Sequence, residues 1–303
     1  MSHERPAIIA IDFDETIVTN GFPTIGNAQL KPYVVEVMNK LYDKGYYIII
    51  WTCRYTNQHI QDMVTFLDKH GIPYDSINKN YTTMEFKPYP KIYADVYIDD
   101  RSLFSIDWKW IYEFIQVKLI TENVGIEKEM AEYFFTRTKQ HIELFNKYYS
   151  YLGYSINYMD KHDSSKFENL ELLPYIYITW SYYCKQNKIV FSTSDLLDAM
   201  MYEATVHHIK TNSHHPEFWT TQTKNIINKD NRDSNQNVSL IDATSMPFKS
   251  LDQLCCDWKA VSVEKNNNVL DFAKQNINKR WKFTEEQEKY IYTVLNKLEQ
   301  FTT

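Results

Sequence analysis

The chain has 303 residues, is 44% hydrophobic and 24% charged, and carries a formal net charge of −6. That is enough for two ordinary domains with packed cores. Neither half has the basic excess that drives duplex binding, so a small phosphorylated substrate fits better than a nucleic acid.

The start, Met-Ser-His-Glu-Arg-Pro, has no signal-peptide character, and the apolar runs are too short to span a bilayer. Cys53, Cys184, Cys255 and Cys256 form no C-x-x-C pair. Reduced thiols and a cytoplasmic location, with no membrane partner, are therefore expected.

Residues 7–18 read as a buried strand, a β-branched run that carries Asp12 and Asp14 into a turn. Alternate strand residues face the same way, which puts both carboxylates on one side beside Thr16. Carboxylates so close repel unless a cation sits between them, and hard oxygen ligands suit Mg²⁺. One of the pair can also act as a nucleophile. The spacing predicts a helix over Tyr33–Lys44, opened by Pro32 and stopped by Gly45, then a strand over Tyr46–Trp51 ending at Thr52-Cys53-Arg54. A helix over Gln58–His70 closes at Gly71, and a third strand, Ala94–Ile98, ends in Asp99-Asp100-Arg101. Strand–helix alternation implies a parallel sheet with right-handed crossovers, whose sites lie beyond the carboxyl ends of the strands. Asp12/Asp14, Thr52 and Asp99/Asp100 all stand there.

Past about residue 120 helical periodicity dominates, over 127–150, 171–187, 194–210, 250–264 and 284–301, and no strand is compelling. Thr284-Glu285-Glu286-Gln287 has the capping-box pattern. Residues 227–245 are polar and turn-prone, as a loop or lid would be. The expected organisation is an α/β Rossmann-like domain over 1–122 and an all-α domain over 123–303.

The first region resembles the haloacid dehalogenase-type phosphatases over roughly residues 6–118: Asp12-x-Asp14-x-Thr16 after a strand, Thr52 at the next, Asp99-Asp100 at a third. The resemblance implies that Asp12 attacks phosphorus, that Asp14 protonates the leaving oxygen and later activates water, and that Thr52 bonds the phosphoryl group. It assigns Mg²⁺ to Asp99, with Asp100 as the alternate, in a cluster completed by Asp12 and Asp14. A lysine completes such a site, and Lys91, just before the third strand, is the choice, with Lys87 the alternate. The family usually has glycine where Glu15 stands. Val18–Leu30 is too short for a cap domain, which leaves the site open to bulky substrates.

The helical region holds His141, His162, His207, His208, His214 and His215. Imidazoles are common ligands for transition metals, and carboxylates bridge or finish such sites. The order His141, His162-Asp163-x-x-Lys166, His207-His208, His214-His215, Asp257 resembles the HD superfamily over about 128–265. That resemblance implies His141, His162, Asp163 and Asp257 as core ligands of one or two divalent transition metal ions, with Asp163 bridging if two bind. His208, with either His214 or His215, would serve the second ion, and Lys166 would contact a phosphate oxygen. His207 is read as a residue that supports a ligand or lies at the surface rather than as a ligand, since adjacent helical positions diverge by about 100°.

Together these imply a two-site phosphohydrolase acting on nucleotides or other small phosphoesters. Two other functions stay open: a di-iron oxygenase of the HD type fused to a phosphatase, and a non-catalytic module that binds a phosphorylated ligand.

Overall fold

The computed structural model describes residues 5–82, 91–102, 106–222 and 240–301. The chain divides into two compact units, Met1–Gly125 and Ile126–Thr303, the division falling a few residues beyond the expected 122. Overall it combines a parallel sheet with many helices.

In the first unit β1 (Ile8–Asp12), β2 (Val18–Thr19) and β3 (Gln29–Leu30) are followed by α1 (Val34–Asp43) and β4 (Tyr47–Trp51). Then come α2 (Asn57–Lys69), β5 (Ser76–Ile77), β6 (Val96–Ile98) and α3 (Ile111–Val124). The main sheet has the order β5-β4-β1-β6 with every pairing parallel. Parallel strands covered on both faces read as unbroken apolar runs rather than alternating ones. Ile8, Ala10 and Ile49 accordingly pack with Ile92 and Ala94, while Ile9, Ile11, Ile48 and Ile50, facing the other way, are fully buried.

The first strand ends at Asp12, not near residue 18 as its composition suggests. Ile17 and Val18 both donate their backbone N–H to Phe13 O, closing a turn, and Val18 then pairs antiparallel with Leu30. β1, β4 and β6 thus end at Asp12, Trp51 and Ile98, which sets Asp12, Thr52 and Asp99 along one edge. Helix α3 escapes a periodicity reading because apolar residues surround most of its circumference, with Tyr112, Ile115, Val117 and Leu119 buried.

The second unit runs α4 (Lys128–Tyr151), α5 (Leu172–Asn187), α6 (Asp195–Thr211), β7 (Ile241–Asp242), α7 (Phe248–Glu264), α8 (Val269–Asn276), β8 (Trp281–Lys282) and α9 (Glu285–Glu299). One apolar cluster joins α4, through Phe145 and Tyr148, to Leu251, Leu254 and Cys255 of α7, Val269 of α8, and Ile291, Leu295 and Leu298 of α9. The expectation of a strandless region is corrected by β7 and β8, a parallel pair of two residues each, too short to show alternation. Residues 227–239 of the expected loop lie outside the described residues, and Ile241–Asp242 form β7. The capping box on α9 is formed in both directions: Thr284 Oγ1 accepts from Gln287 N, and Gln287 Oε1 accepts from Thr284 N. No helix among the described residues is long and apolar enough to cross a membrane.

Leu295 is fully buried in the cluster, so Leu295→Ala is expected to cost about 3 kcal/mol. Thr284→Ala removes only one end of the capping box and is expected to cost about 1 kcal/mol. Urea unfolding of the full chain, compared by midpoint and slope, should rank them in that order.

Candidate active sites

At the sheet edge, one carboxylate oxygen each from Asp12, Asp99 and Asp100 come within 4.8 Å of one another. Burial and the neighbouring Asp99 and Asp100 push Asp12 up to about 7, against the hydrogen bond from Thr16. Three carboxylates with no cation between them raise one another's proton affinity, so the donor set fits a hard divalent ion such as Mg²⁺. Thr16, fully buried, holds the edge together. Its Oγ1 accepts from Asp100 N (2.9 Å), and its carbonyl accepts from Trp108 Nε1 (3.0 Å). Thr52 is buried, and Asn78 pins its backbone through bonds of 2.9 and 2.7 Å.

Asp14 departs from its expected place. It is not in the Asp12–Asp99–Asp100 group: its two oxygens accept from Arg54 Nε (2.9 Å) and Nη2 (2.7 Å). The alternation that would align it with Asp12 ends where β1 ends, and Glu15, at φ 59°, turns the chain left-handed just after it. Glycine adopts that conformation freely, whereas a residue with a side chain does so at a cost. Glu15 instead anchors the turn, accepting from Asn20 N at its side chain and from Lys31 Nζ at its carbonyl. Arg54, whose side chain is wholly buried, also donates to Gly21 O. Gly21 is required by this close approach, since a Cβ there would stand 2.8 Å from Asp14 Oδ1 and 2.7 Å from Val18 Cγ2. The Lys91 ammonium lies 5.0 Å from the centre of the Tyr97 ring, two residues before Asp99, and its described contact is with that ring rather than with a carboxylate. Lys87 lies outside the described residues.

In the helical unit the side chains converge more tightly. His141 Nε2 lies 3.3 Å from His162 Nε2 and 3.1 Å from Asp257 Oδ1, and His162 Nε2 lies 3.3 Å from the same oxygen. Asp163 Oδ1 stands 3.2 Å from His208 Nε2 and 3.3 Å from His214 Nε2, while Asp163 Oδ2 stands 3.7 Å from His141 Nε2. Ligand atoms about 2.1 Å from a common ion stand about 3.0–3.4 Å apart, and all of these spacings but the 3.7 Å one fall in that range. Asp163 Oδ1, His214 Nε2 and His215 Nε2 are buried and have no hydrogen-bond partner among the described residues. Buried polar atoms are ordinarily satisfied, and three that point together fit one or two transition metal ions. Asp163 belongs both to the group with His141 and His162 and to the group with His208, His214 and His215; Asp257 groups with His162 and His214.

The electrostatics follow from this crowding. Burial alone would raise Asp163, but His162, Lys166 and His208 hold it well below the usual carboxylate range. His141 and His162 do the same for Asp257. Burial would lower His141, yet Asp257 and Glu264 bring it up to about 9, whereas burial takes His162 down to about 4. Lys166 Nζ donates to Asp163 Oδ2 at 2.6 Å, so the lysine expected to meet a phosphate oxygen sits against the central carboxylate. His207, partly exposed, meets buried Glu171 Oε1 (2.6 Å), the other oxygen of the carboxylate that holds His208.

Several positioning residues escape a sequence reading. Glu264 Oε1 meets His141 Nδ1 at 2.6 Å and receives Arg137 at its other oxygen. Fully buried Glu171 meets His208 Nδ1 at 2.9 Å and accepts from Ser165 Oγ. Such carboxylates fix which ring nitrogen faces the ligand site. Glu264 could have been found from its seven-residue spacing to Asp257, which returns it to the same face of α7; Glu171 carries no comparable signal. Phe145 stacks on His162 at 3.8 Å and 3° and sets its plane.

An α/β unit with an acidic edge and a helical unit with a His/Asp cluster define the class. Residues 130–301 match the family described as "Family of unknown function (DUF5662)", and the chain belongs to that family; His141 to Asp257 all fall within the match. No curated protein matches the chain. Among solved structures, "Structure of the conserved protein coded by locus from Bacteroides thetaiotaomicron" is 29% identical and covers 41% of this chain and 100% of that chain. Its TM-score is 0.34, too low to carry an argument.

Glu264→Gln is expected to weaken retention of a transition metal about 10–100-fold, read by chelator competition followed by elemental analysis. Gly21→Ala, which drives a methyl group against Asp14 and Val18, is expected to destabilise the protein by about 1–3 kcal/mol in urea unfolding.

Proposed function

We propose that the chain is a metal-dependent phosphohydrolase with two sites, a phosphomonoesterase at Asp12 and an HD-type phosphohydrolase around Asp163, acting on nucleotides or other small phosphoesters. The observation that carries it is the buried shell on Asp163, where imidazoles from three parts of the chain and the Lys166 ammonium meet one carboxylate. Bound divalent ions supply Lewis acidity and charge neutralisation for a phosphoryl group.

Phosphoryl transfer mainly needs positioning and stabilisation of oxygen charge. In the helical unit Asp163 and Asp257 gather the imidazoles, Glu264 and Glu171 orient His141 and His208, and Lys166 supplies a fixed positive charge beside the site. At the sheet edge an Asp12 oxygen forms a bond to phosphorus as the ester P–O bond breaks and the leaving oxygen takes a proton. Water then cleaves the acyl phosphate, releasing phosphate and restoring Asp12. On this reading Thr52 bonds the phosphoryl oxygens. Arg54 holds Asp14 as an acceptor at both oxygens, so donation of a proton by Asp14 requires that pair to open.

The two sites suggest sequential cleavage, the helical site opening a diester or pyrophosphate and the sheet-edge site removing the exposed monophosphate. The test is phosphate release from monoesters, diesters and pyrophosphates by wild type, Asp12→Asn and Asp163→Asn, with metal content measured alongside. Asp12→Asn should lose monoester turnover at least 100-fold and Asp163→Asn the diester or pyrophosphate step, together with its transition metal. If both variants block the same step, sequential action fails. Two irons per chain with oxygen consumption would replace hydrolysis with the oxygenase reading at the helical site. Tight ligand binding without turnover under any metal would leave a binding module.

A further inference from the structure

The first unit exposes aromatic surface next to Arg54, the partner of Asp14. Phe22 is 56% exposed and Tyr55 is 80% exposed, and each packs edge-on against His59, with ring centres 6.0 and 5.6 Å away. The three rings form one contiguous surface, built from the loop that follows β2, the segment between β4 and α2, and the first turn of α2. Tyr42, Tyr97 and Phe114 of this unit are also exposed, at 43%, 40% and 48%, but Phe22 and Tyr55 are more open than any of them. His59 Nδ1, buried between the two exposed rings, has no hydrogen-bond partner among the described residues.

Arg54 ties this surface to the chemistry. Its guanidinium bonds Asp14 on one side and lies 5.9 Å from the centre of the Phe22 ring on the other. One side chain therefore separates the Phe22 ring from Asp14, two residues beyond Asp12. The leaving group of an ester attacked in line by Asp12 departs on the face away from the nucleophile, and on the phosphatase reading, in which Asp14 serves the leaving oxygen, it would lie toward Asp14 and Phe22. Without room for a cap in Val18–Leu30, recognition of that group falls to these loops.

We propose that Phe22, His59 and Tyr55 form a stacking subsite for a planar ring carried by the leaving group of a phosphomonoester, the chemistry of a nucleoside 5′-monophosphate. This rests on the phosphatase reading of Asp12. Stacking of a base on an aromatic side chain contributes about 1–3 kcal/mol and tolerates any base, because every base has a π face. The subsite selects for a ring, not for one base.

AMP and ribose 5-phosphate make the matched pair, sharing the sugar and the leaving oxygen and differing in the ring. With Mg²⁺ and the full chain, kcat/KM for AMP should exceed that for ribose 5-phosphate about tenfold. Tyr55→Phe, which keeps the ring, should preserve the ratio, and Tyr55→Ala should bring it toward one. A wild-type ratio near one, or a ratio that Tyr55→Ala leaves unmoved, overturns the subsite. If wild type turns over neither ester, the phosphatase reading fails, and binding decides the subsite separately. AMP should then bind the Asp12→Asn protein about tenfold more tightly than ribose 5-phosphate, and equal affinities overturn it.

Discussion

The helical unit depends on keeping one carboxylate, Asp163, charged inside the protein. Asp163 is 3% exposed, and a buried carboxylate without compensation would take up a proton rather than stay ionised. Compensation comes from Lys166 in the next turn and from imidazoles on α4, at the end of α6 and in the following turn. The helices are therefore placed by two demands at once. The apolar cluster holds α4, α7, α8 and α9 together, and the Asp163 shell fixes where α4, α6 and α7 must present their polar residues. His141 and Phe145, one turn apart on α4, serve both demands: one meets Asp257, the other stacks on His162 and joins the cluster.

Backbone strain marks both sites in the same way. Asp163 has φ 59°, and Glu15, the residue after Asp14, has the same value. A left-handed conformation in a non-glycine residue costs about 1–2 kcal/mol and persists only where the surroundings enforce it. At Asp163 the turn aims the carboxylate at the imidazoles before the chain enters the Ser164–Phe167 turn. At Glu15 the turn frees Asp14 from the strand and delivers it to Arg54. In each unit a strained turn directs a carboxylate where regular structure would not.

Much of this was legible in the sequence, and what was not has physical causes. The β-branched runs, the helical stripes, the capping box on α9 and the three acidic or hydroxyl clusters at strand ends are local signals. So is the order of His141, His162-Asp163, His208 and Asp257, which the fold then gathers. Asp14 falls outside the Asp12 group because strand alternation ends with β1, two residues before it. Arg54 and Glu171 were invisible as site residues because a single charged residue in a loop or at a helix start says nothing about its partner. Helix α3 and the short β7–β8 pair lack the periodicity on which such reading rests, α3 being apolar nearly all round and the strands too brief.

On the proposed reading, the donor atoms also explain how one chain keeps two metal requirements apart. The sheet edge offers only carboxylate oxygen from Asp12, Asp99 and Asp100, hard donors that suit Mg²⁺ and hold a transition metal less well than imidazole does. The helical cluster presents imidazole nitrogens in excess of carboxylates, a set that suits ions such as Fe²⁺ or Zn²⁺ and gives Mg²⁺ little reason to shed its water. Exchange of ions between the sites is thus disfavoured by ligand chemistry alone, with no barrier between the units required. The carboxylate Asp163 has a further effect: it lies between two imidazole groups, so an ion in either group lowers the charge the other must neutralise. Occupancy of the two groups is therefore coupled through one side chain, and that same side chain is the one whose burial the whole helical unit is arranged to sustain.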